Sequence, residues 1–274
     1  MPPGQTAPSS STDAPRLSFR GLRIAALLAL LVLTCLWAVG ETRKRGGRQR
    51  WKHPLRVDVV LLYRGALPAG MDILQRSVPE LERWLTDELH RYRPQSHVSR
   101  AMSLTVRGPL RVEALPPPPP AEDGLRARVR AYLALRGYLR DVDRRALRGA
   151  AGELQLYVVV EPPAARVRFA EGWNAGERSV VQAAIDGGTV DMALIAMGHE
   201  LLHTVGASDK YSAAGHAEPP GGLVEPDLSP RYPQRFAEIM VGERPTGPQE
   251  GVEATSLATV RVGLQTAREI RWVR

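Results

Sequence analysis

Residues 24–39 carry no charge and scarcely a polar group (IAALLALLVLTCLWAV). Such a helix is apolar on every side rather than along one stripe. Leu22 and Gly40 extend it, and the arginines beyond both ends have stems long enough to reach back to water. Beyond residue 54 the pattern changes to short apolar runs and amphipathic stretches. Residues 57–63 (VDVVLLY) and 154–160 (LQLYVVV) are β-branched and apolar, which predicts buried strands. Ser77-Val78-Pro79-Glu80 has the spacing of a capping box, and behind it Val78, Leu81, Leu85 and Leu89 recur on one helical face. Residues 103–106 and 110–115 read as the arms of a hairpin about Gly108-Pro109. Residues 122–148 read as a charged helix burying Leu125, Val129, Leu133, Leu139 and Val142. Its many arginines, beside acids such as Asp141 and Asp143, read as a solvated face. Further strands are expected at 166–169 and 179–185. A helix should then start at Thr189, with Leu194, Met197, Leu201 and Leu202 on its apolar side.

These elements divide the chain into a disordered tail (1–21), a transmembrane helix (22–40), a basic juxtamembrane linker (41–54) and one α+β domain (55–274) with a proline-rich connection at 116–120. The net charge of +8 changes little. Residues 16–52 hold nine Arg and Lys against Glu41 alone, so the rest of the chain balances near zero. That location argues against a nucleic-acid partner. Cys35, the single cysteine, lies in the apolar run, which leaves no thiol to bind metal in the soluble part. The expected setting is a single-pass membrane protein anchored by residues 22–40. A signal peptide cut after Gly40, with secretion, is the alternative. Basic residues on both flanks leave the side of the soluble domain open.

The chemistry is concentrated in His199-Glu200-Leu201-Leu202-His203-Thr204-Val205-Gly206-Ala207-Ser208-Asp209, an HExxHxxGxxD pattern. On a helix His199 and His203 lie on one face and can share a metal ion. Glu200, one step round, is free to accept a proton from water. Gly206 suits a left-handed helix end, after which the chain can bring Asp209 back as third ligand. Two nitrogens, one carboxylate and an open fourth position fit a catalytic zinc site, with one Zn2+ per chain. His216, on a Gly/Pro-rich loop, is the alternative third ligand.

Strand, helix, further strands and then this helix resemble a metzincin zinc endopeptidase, with Asp as third ligand resembling the snapalysin-like variant. The resemblance covers about residues 189–242. Small membrane-anchored bacterial proteins carrying the same motif are also similar. It implies a zincin-like mixed, twisted sheet, an active-site helix and a C-terminal subdomain with a methionine turn, for which Ala237-Glu238-Ile239-Met240-Val241-Gly242 is suited. It also implies hydrolysis of a peptide or protein substrate with Glu200 as general base. Some metzincins place a tyrosine two residues after the turn methionine, where this chain has Gly242, so Tyr211 or Tyr232 would have to serve an oxyanion. The other expectation, from a different class, is a membrane-tethered binding or assembly module of the cell envelope whose metal site is structural or vestigial.

Overall fold

The computed structural model describes residues 19–118, 124–147, 149, 151–162 and 171–273. The expected strand at 166–169 and all but the last three residues of the expected tail lie outside them. The chain divides into two units between Lys44 and Arg45. In the first, helix α1 (Phe19–Arg48) is long and apolar enough to cross a membrane. At 1.5 Å per residue it spans about 45 Å. Its last turn belongs to the second unit. The folded unit therefore starts at Arg45 rather than Leu55, and Arg48, Gln49 and Trp51 are buried in it.

The second unit is built on a five-stranded sheet in the order β2-β1-β3-β5-β4. Strands β1 (Leu55–Tyr63), β2 (Met102–Arg111), β3 (Leu154–Glu161) and β5 (Arg178–Ala184) are parallel, and β4 (Glu171–Ala175) closes one edge antiparallel to β5. Alternation along the strands feeds two cores. Val57, Val59, Leu61, Leu156, Val158 and Val181 join the larger one, under α2 (Gly70–Tyr92) and α4 (Val190–Thr204). Val60, Leu62, Tyr157, Val159 and Val180 face α3 (Leu125–Ala146) on the other side. Beyond α4 come β6 (Ala237–Glu238), a hairpin of β7 (Glu243–Gly247) and β8 (Glu250–Glu253), β9 (Val260–Arg261) and α5 (Leu264–Glu269). Their Ile239, Met240, Val260, Val262 and Ile270 complete the larger core.

Four sequence expectations need correction. There is no hairpin at Gly108-Pro109, because β2 runs through it as one strand. Val60 pairs with Arg107 and Leu62 with Leu110, so Gly108 and Pro109 form a bulge opposite Leu61. A proline is tolerated there because β2 is an edge strand and a bulge needs no ladder hydrogen bond. The helix expected at Ser77 begins at Gly70, with Pro79 inside it. Burial of Met71, Leu74, Val78, Leu81 and Leu85 along one stripe outweighs the backbone bond that Pro79 cannot donate. In α3 only Leu135, Leu139 and Val142 of the apolar residues are buried, whereas Leu125, Val129 and Leu133 are exposed. Thr189 precedes α4 without capping it by its side chain. Its hydroxyl donates to Ala184 O, while Asp186 Oδ1 accepts from the Gly188 and Thr189 amides.

Helix α2 starts where it does because only glycine fits. A Cβ at Gly70 would stand 2.1 Å from Ile185 O, whereas one at Gly137 in α3 would meet nothing. Gly70→Ala should destabilise the protein by about 1–3 kcal/mol through overpacking. Gly137→Ala should stabilise it by up to about 1 kcal/mol through helix propensity. Urea unfolding of the two variants against wild type checks both signs.

Candidate metal centre

Helix α4 is apolar on most of its surface, and nine of its residues are buried, among them Leu194, Met197, Leu201 and Leu202. Ser179 of β5 ties it to the sheet, its hydroxyl donating to Glu200 O at 3.1 Å. The helix ends as its sequence predicts. Gly206 has φ +108°, its amide donates to His203 O, and the Ala207 amide donates to Leu202 O. These two bonds make a Schellman motif. The Gly206 turn is packed as well as left-handed, since a Cβ there would lie 2.6 Å from Gln49 Nε2.

That turn sets the first imidazole. His203 Nδ1 lies 2.9 Å from Ala207 O, and His199 Nδ1 lies 3.0 Å from Ile239 O, just before Met240. A carbonyl oxygen can only accept, so each Nδ1 donates to it, and each Nε2, once deprotonated, presents a lone pair for a metal ion. The two Nε2 atoms are 2.9 Å apart. Asp209 Oδ1 completes a triangle at 3.2 Å from His199 Nε2 and 3.1 Å from His203 Nε2. Three such atoms that close need a positive charge among them, either a proton on Nε2 or a metal ion. Zinc ligands at about 2.0–2.1 Å in tetrahedral directions are about 3.3 Å apart, so the triangle fits such an ion. His199, Glu200 and His203 likewise form a group that could hold a metal.

Glu200 is buried, and its Oε2 has no hydrogen-bond partner. Burial raises its pKa, while the charges of His199 and His203 oppose the rise. Burial lowers the pKa of His203, but hydrogen bonds to Asp209 and Ala207 and the charge of Glu200 leave it raised. Asp209 is raised by burial, yet its bonds to both histidines bring it well below the usual carboxylate range. Burial, followed by the charge of the nearby Asp209 carboxylate, raises the Tyr211 phenol. The histidine side chains are 18% and 12% exposed and Asp209 is 44% exposed, so the site opens to solvent on the aspartate side.

Asp209 is held from both flanks. Glu269 accepts from the Ser208 amide and hydroxyl and from Lys210 Nζ, all at 2.8–3.0 Å. The Lys210 amide donates to Met240 O. Met240 is fully buried, and the Glu238 carboxylate, itself buried, accepts from the Met240 and Gly263 amides and the Thr266 hydroxyl.

The structure thus gathers His199, Glu200, His203, Asp209 and Tyr211, with the Met240 turn behind them. It does not bring in His216, whose Nδ1 faces Glu243 Oε1 at 3.3 Å. Tyr232 has no described bond to any of them. A cavity of about 740 Å³ lined by Trp51, Lys52, Tyr92, His97 and Trp272 touches none of these side chains. Sequence reasoning missed the two carbonyls that orient the histidines, because backbone atoms carry no residue signature. It also missed Arg48 and Gln49, which donate to Thr204 O and Val205 O at the end of α4. Cationic and amide donors beyond a helix were the available signal, hidden by their reading as a linker.

No protein-family model matches the chain, and no curated protein matches it. Among solved structures, a chain from "Structure of a chaperone-substrate complex" is 17% identical, with a TM-score of 0.32 over 81% of this chain. This chain spans 35% of that one's length. A likeness at that score transfers neither fold nor chemistry.

Proposed function

We propose that the protein is a membrane-anchored, zinc-dependent metallopeptidase of metzincin-like type, with His199, His203 and Asp209 as ligands. The observation carrying this reading is the triangle of three acceptor atoms beside the unpartnered Glu200 Oε2. Zinc held there supplies a Lewis acid that polarises a carbonyl and acidifies water. The remaining steps belong to the protein. Glu200 Oε2 takes the proton as the water oxygen bonds to the peptide carbonyl carbon, and returns it to nitrogen as the C–N bond breaks. Its raised pKa favours the first of these transfers, because a more basic carboxylate takes a proton from water more readily. Tyr211 is the phenol available to an oxyanion, since it lies close enough to Asp209 for that carboxylate's charge to raise it. The solvent-open aspartate side supports turnover over a structural role, because structural zinc sites close all four positions.

Purified protein should cleave peptides in a reaction that chelators abolish and zinc restores. Glu200→Gln should lower kcat by about 10²–10⁴-fold, with metal content unchanged. Unchanged activity in that variant removes the general-base assignment.

The ligand set is tested by metal analysis. Asp209→Ala should weaken zinc binding by more than the about 10–100-fold typical of losing an outer-shell partner. His216→Ala should leave it unaltered. The opposite result would move the third ligand to His216.

A further inference from the structure

The arginine-rich helix α3 takes no part in the metal centre, and none of its first ten residues is buried. Its buried residues, Leu135, Leu139 and Val142, all lie beyond its tenth residue and meet the sheet through Tyr157, Val159 and Val180. Asp143 locks that part in place by accepting from the Tyr157 hydroxyl and Arg178. Leu125, Val129 and Leu133 are 79%, 47% and 60% exposed. Their i, i+4, i+8 spacing stacks them in one stripe. At 100° per residue the stripe lies about 110° round the helix from the buried face, so it is a second apolar surface rather than the margin of the first. Farther along the helix Arg136 and Arg140 continue the same stripe, and Arg126 and Arg130 border it. Five arginines precede the first acid of the helix, Asp141.

We propose that this face of α3 docks on an anionic lipid surface, with Leu125, Val129 and Leu133 entering the interface and the arginines meeting lipid phosphates. Three observations select that occupant. An apolar stripe edged by cations is the pattern of helices that lie in the plane of a charged bilayer. Residues 125–140 carry no acid, which complements anionic headgroups. A second copy of the same face would oppose arginine to arginine. The chain also carries α1, long and apolar enough to bring it to a bilayer. The docking is independent of the metal chemistry.

The test uses the full chain with Cys35→Ser and a single Val129→Cys bearing an environment-sensitive fluorophore. It is reconstituted in vesicles of phosphatidylcholine alone or mixed with phosphatidylglycerol. A Gln249→Cys label on the β7–β8 turn is the control. In the mixed vesicles the label at 129 should shift to the blue and lose most of its emission to spin-labelled acyl chains. The phosphatidylcholine vesicles and the control should show neither change. Arg126→Glu with Arg130→Glu should abolish the quenching. Leu133→Cys, one turn on, reads the same stripe if the label at 129 disturbs folding. Water-like emission in both vesicles overturns the proposal, as does equal quenching in both. A blue-shifted label in detergent, before any lipid is added, also overturns it and assigns the stripe to a protein contact.

Discussion

The close approach of three ligand-type atoms is the constraint on which the candidate metal centre turns. His199 Nε2, His203 Nε2 and Asp209 Oδ1 stand 2.9–3.2 Å apart. They could relax by rotating either imidazole, but both rings are pinned at Nδ1 by backbone carbonyls. Those carbonyls come from opposite sides of the site. Ala207 belongs to the turn that ends α4, and Ile239 to the segment that passes the helix from the C-terminal subdomain. The two carbonyls thus hold three ligand-type atoms at a spacing that a proton or a bound cation would bridge.

The segment after α4 therefore does more than cover the core. Glu238 gathers the Met240 amide, the Gly263 amide and the Thr266 hydroxyl, and so ties together β6, the loop after β9 and α5. Burial raises this carboxyl, against the pull of those three donors and the Lys210 charge. Glu269 at the end of α5 grips both neighbours of Asp209. A disturbance in α5 would thus reach Asp209 through Ser208 and Lys210, and His199 through Glu238 and Ile239. His199 and His203 come from one helix, whereas the placement of Asp209 depends on side-chain bonds spanning some sixty residues of sequence.

Much of the centre was legible because its logic is local. Helical spacing places His199 and His203 on one face, and Gly206 takes the left-handed conformation that its position requires. Strands β1, β3 and β5 were legible for a similar reason, since a buried parallel strand is apolar throughout. The failures were non-local. Gly108-Pro109 spells a turn, but pairing with β1 keeps the strand running and turns the pair into a bulge. Ser77 spells a cap, but the apolar stripe of α2 extends seven residues upstream of it to Gly70. In α3 the apolar residues form two stripes at helical spacing, and periodicity cannot say which one meets the sheet.

The least legible feature has the widest consequence. Residues 45–52 read as a charged tether, yet Arg48 donates to Thr204 O, Gln49 to Val205 O and Glu269 O, and Trp51 to Ile270 O. Gln49 joins the end of the metal-site helix to the helix whose last residue holds the Asp209 loop. Carbonyls at a helix C-terminus carry partial negative charge, so an adjacent guanidinium and amide stabilise that end while satisfying otherwise orphaned acceptors. A cut at the Gly40–Glu41 bond would leave all of these donors on the folded unit. A cut after Gln49 would strip the end of α4 next to the turn that aims His203. The folded unit is thus compatible with an anchored or a released form, provided that release spares the chain from Arg45 onward.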